Sequence, residues 1–348
     1  MADTERVSQP ATAAPSAAAT PVTVGVTAYS PQRAHYLVEA VASACAQTHD
    51  DIEIVICDDG GSAEVARVAA AACERDRRVR FVQGAARRGI AGNWNRLMEE
   101  ASGDRVMIIG DDDRLLPDAV ATMLRAGDAD VVFANHFVID GDGERVSHAD
   151  YTVRYGRSRV APGPVREPLP VIARNGISIC AALLRRATAL RQPFNAALNT
   201  PEQEYFFRIA LEGATFAFVS DYVAEYRTHA LSQTSAGLWI DRHVRAMMEL
   251  PVPPSARCWQ RLVVRQHIIG ATIMAIANGE SSAARRFVWS GYLPLRERPL
   301  SCAAVVAAAH APGALVRAIP LVRQRRIPGW RPPDAAHSAR NGTSARVR

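Results

Sequence analysis

The 348-residue sequence contains no lysine; all 41 of its basic residues are arginine. That excludes a P-loop ATPase and a Schiff-base enzyme, because both chemistries need the lysine amine. There is no C-x-x-C pair. The six cysteines (Cys45, Cys57, Cys73, Cys180, Cys258 and Cys302) are scattered, most of them in apolar surroundings. They read as buried free thiols rather than metal ligands, which fits a reducing cytoplasm. Long apolar runs are missing too: stretches such as "IIGATIMAIA" (268–277) are too short to span a bilayer. The first twenty residues lack the basic-then-apolar order of a signal peptide, and their Ala, Pro, Ser and Thr content predicts a disordered leader.

Charge is present but unevenly placed. The net charge is +6, yet from Ala311 onward there are eight arginines and one acid, Asp334, a net of +7 that leaves about −1 for the rest. A nucleic-acid protein would carry its basic residues across the fold, so that class is excluded. With 48% hydrophobic and 22% charged residues, the chain can bury a full core.

From Val22 onward the pattern alternates. Short β-branched runs at 22–28, 52–57, 79–82, 105–109 and 130–134 are separated by helix-like stretches near 34–46, 63–75, 91–101 and 117–126. This predicts an α/β fold: a Rossmann-like, mostly parallel sheet flanked by helices, with strand-to-helix loops gathered on one edge. Three such loops stand out: "TAYS" (27–30), "DDGGS" (58–62) and "GDDD" (110–113). Asp111, Asp112 and Asp113 repel one another. A surface turn absorbs that cost in water; a divalent cation absorbs it as well, since Mg²⁺ and Mn²⁺ prefer carboxylate oxygens. Open α/β sheets bind ligands outside the carboxyl ends of their strands, so both acidic clusters should face one crevice, and that convergence favours a site.

Farther along, "FVIDGDGERVS" (137–147) reads as a hairpin turning on Asp-Gly. It is no calcium loop, because Arg145 and Tyr151 stand where an EF-hand needs Gly and Glu. Residues 151–170 read as a loop and 176–186 as a strand. Residues 200–213 form a helix with a Thr cap, early Pro and acids, and a closing Gly. A short strand at 216–220 and a loop at 224–233 follow. Amphipathic helical patches beyond residue 240 predict a C-terminal helical extension. Within it, 301–326 either packs on the main domain or sits on an anionic membrane surface.

These residues resemble a family. "VTVGVTAYSPQRAHYLVEAVASACAQTHDDIEIVICDDGGS" is similar to the opening of the family 2 glycosyltransferases of GT-A fold, and "GIAGNWNRLMEEASGDRVMIIGDDDRLLP" to their next block, which bears Asp-x-Asp. The likeness covers about residues 22–235. It implies an inverting transferase that moves a sugar from a nucleotide donor, with UDP, GDP or dTDP unresolved, usually with Mn²⁺ or Mg²⁺. The acceptor would be a glycan, a lipid-linked molecule or a small metabolite. By the resemblance, Thr27, Tyr29 and Asp58 or Asp59 would hold the base and ribose. Asp112 stands at the metal-binding second Asp. Gly110 replaces the first, leaving Asp111 or Asp113 as the second contributor. Asn93, with Asn95, would approach the donor. "YRTH" (226–229) matches a closing Tyr-Arg-x-His, so Arg227 or His229 would meet the diphosphate or the metal. Glu202 aligns with the catalytic base, with Glu204 in reserve.

The implied organisation is a leader (1–20), a GT-A domain (21–236), a helical region (237–327) and a basic disordered tail (328–348). The implied location is cytoplasmic, with peripheral contact at the inner membrane face through the basic C-terminal region. Acceptor contacts would come from 151–200 and the C-terminal helices. Two alternatives remain: a silent nucleotide-sugar binder, and a nucleotidyltransferase, against which the glycine-free "TAYSPQR" loop argues.

Overall fold

The computed structural model describes residues 21–146, 152, 155–232 and 239–311. Its frame is one nine-stranded sheet in the order β3-β2-β1-β4-β8-β6-β9-β5, with β7 paired to β9. The first half is β1 (Val22–Ala28), β2 (Ile52–Asp58), β3 (Val79–Gln83) and β4 (Arg105–Gly110). Every pairing among these four is parallel. The second half is mixed. β8 (Ala182–Arg185) runs antiparallel to both β4 and β6 (Val131–Ile139), whereas β6 and β9 (Phe216–Arg227) are parallel. The two-residue β5 (Arg114–Leu115) and β7 (Gly163–Val165) each pair antiparallel to β9.

Side chains alternate between the two faces, as the period of a strand requires. Ile54, Ile56, Met107 and Ile109 point to one face. There they meet α1 (Ala34–Cys45), α2 (Ala63–Arg75) and α4 (Ala119–Leu124). Val55, Cys57, Val106 and Ile108 point to the other face. That face is covered by α3 (Gly89–Glu100), α5 (Leu169–Ile172), α6 (Arg186–Arg191) and α7 (Glu202–Leu211). The C-terminal helices complete the same layer: α8 (Ile240–Glu249), α9 (Arg257–Ala277), α10 (Ser281–Val288) and α11 (Pro299–His310). Val244, Met247, Val263, Phe287 and Val305 share one apolar cluster with Trp94 of α3 and Phe206 of α7. The helical extension is therefore part of the main core. No helix among the described residues is long and apolar enough to cross a membrane.

Several sequence expectations need adjusting. The strand expected at 216–220 runs on to Arg227, so residues 224–227 are strand and not loop. Polar Ser220 and Asp221 interrupt its pattern where the register against β6 shifts between Ala134 and His136. The 176–186 strand is shorter, because Ile179–Ala181 form a 3₁₀ turn before β8. The 200–213 helix spans Glu202–Leu211, has Pro201 at its N-cap and draws no side-chain cap from Thr200. The 137–147 hairpin is a tight turn: Val146 N–H donates to the Val138 carbonyl at 2.9 Å, and Ile139 bridges Arg145. Residues 1–20 and 312–348, with the tail boundary at 327–328, lie outside the described residues.

Candidate active site

The end of β1 is the centre of the site. Register places Ala28 beside Asp58 and Thr27 beside Gly110. Asp59 N–H donates to the Ala28 carbonyl (2.8 Å) and Asp111 N–H to the Thr27 carbonyl (3.0 Å). Both acidic loops are thus laced to the same strand end, and the predicted convergence is observed.

The two clusters do different work. Asp58 is fully buried and its carboxylate accepts from Gly60 N–H (2.9 Å) and Ser62 N–H (3.0 Å), so it shapes the turn that starts α2. Gly60 is required there, since a Cβ would lie 2.7 Å from the Tyr29 carbonyl oxygen. Asp59 accepts from Arg88 N–H (2.7 Å) and Gly89 N–H (2.8 Å), holding the start of α3. Asn93 faces inward and exchanges hydrogen bonds with Cys57, donating to its carbonyl at 2.9 Å. Asn95 likewise ties α3 to Phe194, at 2.8 and 2.9 Å. Asp58, Asp59, Asn93 and Asn95 therefore build the walls of the site through backbone contacts. Thr27 is bonded to the Ile109 carbonyl at 3.2 Å. Tyr29 is partly exposed, with the guanidinium groups of Arg33 and Arg87 at 4.8 and 5.2 Å from its ring. An aromatic face flanked by two cations suits a base next to phosphates.

At the second cluster all three aspartates are buried: Asp111 at 1%, Asp113 at 5% and Asp112 at 9% exposure. Asp113 Oδ1 accepts from Arg227 N–H at 3.0 Å. Burial, then the neighbouring Asp112 charge, raises the Asp113 carboxyl well above the usual range. Asp111 forms an ion pair with Arg33, whose Nη2 also lies 3.3 Å from Asp112 Oδ1. His229 Nε2 sits 3.0 Å from Asp112 Oδ2, and Leu231 N–H donates to His229 Nδ1 at 3.2 Å. A neutral ring with Nδ1 accepting carries its proton on Nε2, so His229 donates to Asp112. Ligating a cation through Nε2 would require the other tautomer and loss of the Leu231 bond. Gly110 is explained by the same crowding: a Cβ there would lie 2.6 Å from Asp112 Oδ1.

Arg227 is 1% exposed and thoroughly engaged. It donates to the Asp112 carbonyl (2.8 Å), the Gly141 carbonyl (3.1 Å) and Glu39 (2.6 Å), and stacks over Tyr36. Its place is behind the aspartate loop, bracing it, and none of its described contacts points it at a diphosphate. Sequence reasoning passed over Arg33, Tyr36 and Glu39 in "PQRAHYLVEA", whose spacing reads as the ordinary polar and apolar faces of a helix start. Only the fold reveals that this turn reaches across to residues 111–113 and 227.

Of the α7 acids, Glu204 is buried in an ion pair with Arg208 at 2.9 Å, and Arg208 is further held by Gln192 and Pro193. Glu202 differs. Its Oε2 is buried without a hydrogen-bond partner among the described residues, and burial raises its carboxyl above the usual range. It opens α7, and α7 joins α3 through Tyr205, Phe194 and Trp94. No hydrogen bond links it to the aspartate cluster.

A divalent cation is tested by the donors present. Among the described residues no three His, Cys, Asp or Glu side chains converge as a ready cage. Asp112 has the most exposed carboxylate of the three, and Asp111 Oδ2 is buried without a hydrogen-bond partner among the described residues. These two fit a cation whose remaining ligands are donor oxygens and water; Asp113 is turned to the Arg227 backbone.

Comparison with known proteins places this architecture. A mannosyltransferase, PcManGT from Pyrobaculum calidifontis, solved with GDP-Man and Mn²⁺, superposes with a TM-score of 0.55 over 86% of this chain and 89% of its own, at 17% identity. S. aureus TarS 1–349, solved with UDP-GlcNAc, superposes at 0.61 over 83% of this chain and 87% of its own, at 14% identity. The fold is that of the GT-A glycosyltransferases. Residues 23–188 match the family model described as Glycosyl transferase family 2. That segment, a little under half of this chain, is similar to the family 2 glycosyltransferases. A curated relative, glycosyltransferase GlyG of Streptococcus pneumoniae serotype 4, is 32% identical over 108 residues. That stretch is 30% of this chain and spans 36% of that relative's length.

Proposed function

We propose that this chain transfers a sugar, with inversion, from a nucleoside diphosphate donor to an acceptor hydroxyl. The observation that carries the reading is the lacing of the two acidic loops to one strand end, within a fold shared with nucleotide-sugar-bound neighbours. Tyr29, with Arg33 and Arg87, receives the nucleotide. Asp112, with Asp111, would hold Mn²⁺ or Mg²⁺, which supplies Lewis-acid neutralisation of charge on the departing diphosphate. Glu202 takes the proton of the acceptor hydroxyl as its oxygen bonds to the anomeric carbon and the bond to the diphosphate breaks. Its raised carboxyl is the more basic for being buried.

Thermal melting against UDP-, GDP-, dTDP- and CDP-sugars, with and without Mn²⁺, tests this. A native-state ligand at 100 times its Kd adds about 2.7 kcal/mol, a rise of several degrees. One nucleotide series should raise the Tm, and more so with metal. Binding without turnover, acceptor present, would leave a silent nucleotide-sugar binder.

The reading includes a cytoplasmic enzyme touching an anionic membrane face through its C-terminal region. Supporting it, Leu300 and Trp289 are 86% and 72% exposed, beside exposed Arg285, Arg296 and Arg298. The chain should sediment with phosphatidylglycerol vesicles but not with phosphatidylcholine vesicles. Equal binding to both would remove the electrostatic part.

A further inference from the structure

We infer that Arg33 governs how tightly the Asp111–Asp112 pair takes a divalent cation, because guanidinium and cation compete for the same two carboxylates. The inference rests on the reading of Asp112 as the cation ligand and deepens it.

Arg33 lies in the 3₁₀ turn Pro31–Arg33 that joins β1 to α1. It is 4% exposed, and its side-chain polar contacts among the described residues all lead to the site. Nη2 forms the ion pair with Asp111 and lies 3.3 Å from Asp112 Oδ1, while Nη1 donates to the Tyr29 hydroxyl at 3.1 Å. Arg33 Nε is buried without a hydrogen-bond partner among the described residues, as is Asp111 Oδ2. A buried guanidinium with an idle donor, beside a buried carboxylate with an idle acceptor oxygen, is a pair that can be traded for a better one. A divalent cation on these carboxylates cannot sit beside Nη2, because like charges at contact distance repel strongly away from bulk water. Arg33 must therefore leave for the cation to bind. Its tether keeps it beside Tyr29, where the freed fork can meet phosphate oxygens bidentately. Arg227 plays no part in this exchange, being fixed by Glu39 and by backbone carbonyls.

The experiment is Mn²⁺ binding to the full chain without donor, by calorimetry and water-proton relaxation. Arg33→Gln should tighten Mn²⁺ by tenfold or more, and Arg33→Lys, which keeps a cation, by much less. Tyr29→Phe, which removes the hydroxyl holding Nη1, should tighten it by a smaller factor and decides the matter if Arg33→Gln does not fold. Equal or weaker Mn²⁺ binding in Arg33→Gln, or in Tyr29→Phe where that variant stands in, overturns the competition. If Asp112→Asn still abolishes Mn²⁺ binding in that case, the cation reading survives alone. If no variant binds Mn²⁺ while a nucleotide sugar still raises the Tm, the cation reading fails and the inference with it.

Discussion

Asp112→Asn should abolish the proposed sugar transfer, by about a hundredfold or more, while the chain stays folded. Asparagine keeps the shape that fits beneath Gly110 and can still accept from His229, so the loop has no steric reason to move. What disappears is the negative charge that a cation on the leaving diphosphate requires, and loss of Lewis-acid stabilisation weighs directly on the transition state. Stability should move little or upward, because the Asp112 charge is one of the causes that push Asp113 away from ionisation. Removing it relieves a buried repulsion. The assay is single-turnover transfer with the donor found by melting, alongside a melting curve of the variant. Full activity in the variant sinks the assignment of Asp112.

Glu202→Gln separates binding from chemistry. Donor affinity should be unchanged and transfer should fall by two to four orders of magnitude, the usual worth of a positioned base. Two pH effects accompany it. In the wild type the rate needs the ionised carboxylate, and burial raises its pKa, so activity falls away on the acid side at a pH above the ordinary carboxylate range. For stability the sign is opposite. A carboxyl whose folded pKa is raised contributes stability below its unfolded pKa of about 4.3 and loses that contribution as pH rises through the folded value. Once ionised, Glu202 with its unpartnered Oε2 therefore weakens the fold, and glutamine should not lower the Tm. A wild-type rate in the variant would move the base elsewhere. A falling Tm with lost donor binding would make Glu202 structural.

Much of the first half was legible in the sequence, because β-branched runs separated by Ala-rich stretches leave little else for the chain to do. β1 and α2 occupy the expected residues, and β2, β3, β4 and α1 end within a residue of them. β9 was misjudged because its middle is polar at the register shift, and pairing with β6 overrides the local pattern. The convergence of the acidic loops followed from strand direction alone. What each acid does there could not be read the same way. A motif aspartate looks identical in sequence whether or not its carboxylate also holds a pair of backbone amides, as those of Asp58 and Asp59 do. Arg33 was invisible for another reason: its partners lie nearly eighty residues away, and nothing in its own turn announces them.

The shared core of the C-terminal helices has a consequence for how the protein is made. The cluster beneath α1, α2 and α4 has all its buried residues by Ala224, so that face can close while the chain is still emerging from the ribosome. The opposite face cannot. Val263, Phe287 and Val305 complete its cover, and they leave the tunnel after the rest of that cluster's strands and helices. Until then a nascent chain already holding the whole family-matched segment still presents a bare apolar layer. A ribosome stalled near residue 240 should hand a chaperone an unfinished surface, whereas one stalled after the tail should not.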